Sequence, residues 1–514
     1  MNSFFKNSTW LLFLTILVAQ PSMAQEGGQD KELMMKKLAD SINNDPNNLQ
    51  LHEQYLKVSG FTRWGAKEDT AFVNQYKRWM DKYPQSAVLP YALGHAFAGR
   101  ESPQAKPYLL KAIELEPKMD KAYFDLWIDA ERWGQFEKGR EYIAKASEIK
   151  PDNADYAFYS ASSSDRNSAK YTEMSLEVAK RFPESERGAQ ALYWLAVRSK
   201  NNGDKVRYFE LLKEKFQPAK FRWSSSGMSA YFNLLLAESP QKAKKLAVEM
   251  EKVVTADRDK KSWSSLTILA DDVTKANELL ASNKAPAAIQ ILEKDIFLRW
   301  VNSIPELLLL KAKAYQKNQQ TQKAYEQLLA SYASNPQPII GDALFTYGNL
   351  LKKNKDQVTR EVWHIRDTAS RKATDFSLNK YFSEGKASLA DFKGKVILLT
   401  YWFPGCGPCR GEFPHFQNVV NKFNKNDLAY VGINIVPEQN DYVIPFLNSS
   451  GYTFLPLEDY EGRDKGNLDN GGAAPVNFLI DQKGNIIFKN FRTDGDNEDI
   501  LYEMISSTIQ RGKS

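Results

Sequence analysis

Cysteine is nearly absent: the 514 residues contain two, Cys406 and Cys409. An exported chain stapled by disulfides would carry several pairs, so a disulfide framework is excluded. A bridge between residues three apart closes too small a loop to restrict the unfolded chain much, which points to chemistry rather than stability. Histidine is equally sparse. His52, His95, His364 and His415 are scattered, and with two cysteines they do not make the four ligands of a structural zinc site. Neither a metal nor a cofactor is expected. An excess of one charge is also missing. The chain has 69 basic and 63 acidic residues, a net charge of +6, and no dense basic stripe, so no nucleic-acid partner is expected. No apolar run reaches ~18 residues, so no membrane span is expected in the mature chain.

What is present starts with an export pattern. Lys6 is followed by an apolar run over 10–19 and by Ser22-Met23-Ala24, small residues at the −3 and −1 positions of a cleavage site. Residues 1–24 are therefore expected to be a signal peptide, removed near Ala24, with the mature chain in the periplasm or another extracytoplasmic space. No cysteine follows the run, so nothing supports a lipid anchor. The length suggests three or so structural units at a prior of ~150 residues each.

Prolines then recur at 84, 117, 151, 183 and 218, at intervals of 33, 34, 32 and 35. A period near 34 is that of the tetratricopeptide repeat, two antiparallel helices per unit. Leu93, Leu126 and Leu192 each sit nine residues after a repeat proline, and Ala112 and Ala146 five before one. Gly94 and Phe97 keep the phase, as do Tyr315, Ala324, Leu328 and Pro336 further on. Residues 219–300 lose it, and Ser160 replaces an expected leucine. Residues 25–355 are thus expected to form an all-α, tetratricopeptide-like array, with 356–372 as a polar linker. Trp64, Trp79, Trp127, Trp133, Trp194 and Trp223 are expected to fill gaps between helices, and the lysines of 242–245 to mark a solvated helix face.

After about residue 373 the character changes. Residues 395–402 read as a buried strand. Cys406-Gly407-Pro408-Cys409 follows, then an amphipathic stretch to Asn424. Strands are expected over 428–435, 476–480 and 485–488, and helices over 441–450 and 497–511. The sum is an α/β domain.

Residues 373–514 resemble the TlpA/ResA-like exported thiol–disulfide oxidoreductases of the thioredoxin superfamily. The residues that carry the resemblance are Asp375-Phe376-Ser377-Leu378, Gly394-Lys395-Val396, Trp402 with Cys406-Gly407-Pro408-Cys409, Glu412, Pro414, and Ala474-Pro475 with Phe478-Leu479-Ile480-Asp481. The resemblance implies a thioredoxin fold and disulfide exchange, with Pro475 as the cis-proline facing the cysteines. Two cysteines at i and i+3 of a helix start lie within one turn and can close a disulfide. Cys406, beside the unpaired amides of the helix N-terminus, is expected to be the nucleophile, and Cys409 the resolving thiol. Pro408 stiffens the turn. The Gly407-Pro408 pair resembles that of reductants.

Partners would be disulfide-containing proteins and an upstream electron donor that the sequence does not identify. Three departures stand out. Gly405 stands where tryptophan often precedes the first cysteine, and Phe403-Pro404 replaces smaller or polar residues. Thr400 stands where thioredoxin has a buried carboxylate. The base for Cys409 is then open. Glu412 is one candidate, but it also fits a first-turn helix acid favoured by the dipole. Two other functions compete: a repeat scaffold or chaperone with an auxiliary thioredoxin-like domain, and a thiol peroxidase. The peroxidase would want Thr or Ser where Phe403 stands.

Overall fold

The computed structural model describes residues 23–61, 70–165, 168–301 and 304–513. Residues 1–22, which hold nearly all of the expected export signal, lie outside the described residues, as does Trp64.

Over 23–369 every described element is a helix. The repeating prolines fall in the turns that open each new helical pair. Pro84 precedes helix Val88–Gly99, Pro117 precedes Asp120–Arg132, Pro151 precedes Ala154–Ser162, and Pro183 precedes Glu186–Arg198. Each follows the end of the preceding helix, where proline, which cannot continue a helix, stops it and turns the chain. The in-phase residues close the hairpins: Leu93, Leu126, Leu192, Ala112 and Ala146 are at most 1% exposed. At Gly94 a Cβ would lie 2.9 Å from the Leu109 side chain, so a larger residue would push the two helices apart. The phase fails after 219 because helix Asp257–Ala281 runs for 25 residues and is followed by the short helices Ala285–Leu292 and Asp295–Leu298.

Two histidines belong to this packing. His52 is buried between the Tyr76 hydroxyl and the Pro46 carbonyl, and His95 contacts Asp125 at 2.7 Å. Most of the tryptophans also fill gaps. Trp79 is buried among Tyr55 and Tyr76, and Trp194 leans on Trp223.

The expected linker needs correction. Residues 355–369 form a helix, Lys355–Ala369, opened by a reciprocal capping box between Asn354 and Gln357. It buries Val358, Val362, Trp363 and Arg366, one face at helical spacing. A polar overall composition hid that face.

Beyond it lies one eight-stranded sheet: β1 (Arg371–Lys372), β2 (Leu378–Lys380), β3 (Lys386–Ala387), β4 (Val396–Trp402), β5 (Leu428–Asn434), β6 (Leu455–Glu458), β7 (Val476–Ile480) and β8 (Asn485–Lys489). Their spatial order is β1-β8-β7-β4-β5-β6-β2-β3. β4, β5 and β6 run parallel and the other pairings are antiparallel. The expected strands correspond to β4, β5, β7 and β8. The other four are two to four residues long, and β6 carries Pro456, so none shows a pattern of its own. Central β4 is buried along its whole length. Its side chains alternate between two cores: Val396, Leu398 and Trp402 on one face, Ile397, Leu399 and Tyr401 on the other. Helices Gly407–Val420, Asn440–Ser450 and Glu498–Lys513 supply the first of these cores with Phe413, Phe446 and Ile505.

Among the described residues array and sheet domain are packed together at two buried places, besides a looser approach of Lys205 to Asp496 at 4.0 Å. At one, the Tyr442 hydroxyl donates to Asp129 at 2.9 Å, Trp133 crosses the Tyr442 ring at 4.7 Å, and Phe136 crosses Phe446. Trp133 therefore fills a gap between domains rather than between helices. At the other, the Arg366 guanidinium donates to the Ala333 carbonyl and the Ser507 hydroxyl, and the Tyr332 hydroxyl reaches Glu503.

Candidate active site

β4 ends at Trp402, and after three intervening residues Cys406 forms the N-cap of helix Gly407–Val420. Pro408 occupies the first turn, where its missing N–H leaves no helical bond unmade. Cys406 and Cys409 are joined in a disulfide with their Cα atoms 5.3 Å apart. The Cys409 amide donates to the Cys406 sulfur at 3.2 Å, so the helix N-terminus turns its amide toward the outer sulfur. Cys406 is 3% exposed and Cys409 is fully buried. Of the two residues, Cys406 alone keeps any exposed surface.

The loop before Cys406 is pinned from three directions. The Cys406 amide donates to the Phe403 carbonyl at 2.9 Å, the Arg410 guanidinium to the Pro404 carbonyl at 2.7 Å, and the Gly405 amide to the Gln439 side-chain oxygen at 2.6 Å. Trp402 is fully buried below, edge-on to Phe413 and Phe454. It supports the floor of the site and does not form its rim. The Ala474–Pro475 peptide is cis, and Ala474 lines the same cleft as Cys406, Gly407 and Pro408.

Behind the disulfide lies a buried polar cluster. Glu412 accepts from the Asn477 side-chain amide at 3.1 Å and from the Thr493 amide at 3.0 Å, with Arg492 at 3.5 Å. Asn477 pairs across the sheet with Thr400, whose hydroxyl finds no hydrogen-bond partner. Burial pushes the Glu412 carboxyl above the usual range, against the hydrogen bonds from Asn477 and Thr493. Glu412 is thus no exposed first-turn acid: it sits in the second turn, 6% exposed. Being three residues after Cys409, it shares that cysteine's helix face. His415, a residue away from Pro414 on the same helix, is taken up by Glu498 at 2.7 Å.

Two residues at the site had no signal in the sequence. Gln439, fully buried, holds Gly405. Its amide donates to the carboxylate of Glu101, a residue of the helical array. Nothing local in the sequence marks either as belonging to a redox site, because they meet only when the two domains pack.

A cysteine pair at a helix start, Ala474 lining the same cleft and a central β4 flanked by β5 and β7 are the arrangement of a thioredoxin-like redox protein. The Redoxin family profile matches residues 368–505. The thioredoxin-like protein YneN of Bacillus subtilis is 34% identical over 134 residues, which are 24% of this chain and 76% of the relative. The thiol–disulfide oxidoreductase ResA of the same organism is 32% identical over 104 residues, 20% of this chain and 56% of its own length. Among solved structures, the thioredoxin domain of a thiol–disulfide oxidoreductase from Bacteroides vulgatus is 22% identical with a TM-score of 0.24, covering 27% of this chain and 96% of that one. Through its C-terminal domain the chain belongs to the thioredoxin-like thiol–disulfide oxidoreductases. The family profile begins after the helical array, and the match to ResA spans just over half of the relative.

Proposed function

We propose that this chain is an exported thiol–disulfide oxidoreductase that reduces disulfides of partner proteins, with a tetratricopeptide-like array that selects and presents them. The observation that carries the reading is the Cys406–Cys409 disulfide at a helix start beside the cis Ala474–Pro475 peptide. In the reduced enzyme the Cys406 thiolate attacks one sulfur of a partner disulfide. The other partner sulfur leaves as a thiolate and takes up a proton. Cys409, its proton passed to Glu412, then attacks the Cys406 sulfur and releases the second partner thiolate. The partner gains two electrons and the enzyme is left with the disulfide seen here. A dithiol donor outside the chain must return it to the reduced form.

Each supporting residue has a place in this scheme. Gly407 and Pro408 shape the turn, Trp402 holds its floor, and Pro475 fixes the strand that faces the cysteines. The backbone beside it is suited to pairing with an extended substrate segment. Export rests on Lys6, the apolar run and Ser22-Met23-Ala24. Among the described residues no helix is long and apolar enough to cross a membrane.

Replacing Cys409 with serine removes the resolving attack and leaves the nucleophile. Cys409→Ser should therefore accumulate covalent partner adducts that dissolve on reduction, and Cys406→Ser should accumulate few. Equal yields from the two variants, read by mass spectrometry, would refute the assignment. N-terminal sequencing of the mature protein should begin at Gln25.

A further inference from the structure

The segment that delivers Cys406 is fastened to the helical array, and the fastening forms part of the substrate cleft. Glu101 lies in the turn between helices Val88–Gly99 and Ala105–Leu115 and holds φ +56°, the left-handed residue of a helix ending in which the Ser102 amide donates to the Phe97 carbonyl at 3.0 Å. Its side chain is held on both oxygens. The Arg132 guanidinium donates to the Glu101 carboxylate at 3.3 Å, and the Gln439 side-chain amide donates to its other oxygen. Gln439 in turn accepts from the amide of Gly405, the residue before Cys406.

A side chain at Gly405 would have to displace these groups: a Cβ there would lie 2.5 Å from the Glu101 carboxylate and 3.0 Å from Gln439. The space a larger residue would fill at this position is filled by the array. Gly99 and Glu101 thus form one wall of a cleft of about 380 Å³, with Pro408 and Ala474 on other sides and Cys406 at its base.

This wall is not free to swing. Tyr442 bonds Asp129 in the buried interface, and Gly134 fits so closely that a Cβ would lie 2.5 Å from the Phe446 carbonyl. Arg410 faces Glu131 at 3.7 Å across the same junction. The Glu101 carboxylate is itself engaged by Arg132 and Gln439, so it acts on a ligand through shape more than through charge.

We propose that Glu101 is a specificity-determining residue of the redox site: with Gly99 it walls the cleft over Cys406, which admits a disulfide carried on a single extended peptide segment and turns away one embedded in a folded surface. The proposal rests on the disulfide-exchange reading given above. A lone extended strand is about 5 Å by 10 Å in cross-section and can enter a walled cleft edge-on. A folded surface approaches as a face and meets Glu101 before its sulfur reaches Cys406. Disulfide exchange needs the attacking sulfur brought close and in line, so a small steric offset is enough to discriminate.

The experiment compares reduction of two probes by the full chain: an unstructured peptide whose single cysteine is held as a mixed disulfide with cysteamine, and insulin. Glycine takes the φ of residue 101 without strain, so E101G removes the wall and spares the turn. E101Q keeps the shape and removes the charge. The wild type should favour the peptide by about ten-fold or more in kcat/KM. E101G should narrow that ratio by about three-fold or more, through a lower KM for insulin, and E101Q should keep it. An unchanged ratio in E101G would overturn the proposal, as would equal losses on both probes, which would mark Glu101 as merely structural. So would E101Q behaving like E101G. A wild type that reduces neither probe would defeat the exchange reading itself, a result distinct from all of these.

Discussion

The helical array and the sheet domain tie their polar groups together in opposite ways. In the array the ties repeat. The Tyr156 hydroxyl donates to Asp120, Lys213 pairs with Glu249, and the Tyr325 hydroxyl donates to Glu361, each pair 36 residues apart and joining one hairpin to a later one. In the sheet domain the ties span unequal separations, 53 residues for Asn434 to Tyr381 and more elsewhere. Glu412 alone gathers Asn477, 65 residues away, and Thr493, 81 residues away, behind the cysteine pair. A repeated tie is one contribution among many nearest-neighbour terms. A single buried network either holds as a whole or leaves charged and polar groups unsatisfied. The array can therefore absorb the loss of one exposed tie, and the buried Glu412 network cannot lose a member so cheaply. The junction between them lies in between, since its contacts are buried yet belong to neither repeat nor sheet.

The sharpest break in that comparison is at Glu412. If this carboxylate takes the Cys409 proton, Glu412→Gln should lower the turnover of disulfide reduction by about ten-fold or more. The same change should raise stability, because burial has lifted the Glu412 pKa. A carboxyl whose folded pKa exceeds its unfolded value contributes its full stability below the unfolded pKa and loses it as pH rises through the folded one. The stability gain of E412Q over the wild type should thus be largest at neutral and alkaline pH and vanish on acidification, as read by thermal melts across pH. A variant that melted lower at neutral pH would show the carboxylate to be a structural anchor.

The junction should respond less. Gly134 holds φ +68°, and a Cβ there meets the Phe446 carbonyl, which is backbone and cannot turn aside. Gly134→Ala should cost about 2 kcal/mol in equilibrium urea unfolding. It should also speed alkylation of Cys406 in the reduced protein, as the array wall lifts. Unchanged alkylation would mean that the wall does not shield the cysteine.

The smallest effect belongs to the array. Arg187 pairs with Asp155 at 2.6 Å between neighbouring hairpins, with the carboxylate half exposed. Asp155→Ala should change stability by no more than about 1 kcal/mol and leave disulfide reduction untouched. A loss as large as that of Gly134→Ala would erase the contrast between repeated and single ties.

The sequence by itself determined the parts whose causes are local. Proline spacing and in-phase Leu and Ala placed the hairpins, because a helix pair closes through neighbours a few residues apart. The run ending at Trp402 marked β4, since a strand buried on both faces must be apolar throughout. Cys406-Gly407-Pro408-Cys409 marked the candidate redox site, because helix-start chemistry needs those residue types at that spacing, and the resemblance added Pro475. The capping box at Asn354 was also written in the chain, but a polar composition concealed it.

Tertiary structure alone decided the rest. Strands β2, β3 and β6 exist through their pairing partners and are too short to show a pattern of their own. The burial of Glu412 came from the sheet closing over it. The wall over Cys406 joins Glu101 to Gln439 across 338 residues. A contact of that span leaves no periodicity or motif in the sequence, because it is created when two already folded surfaces meet.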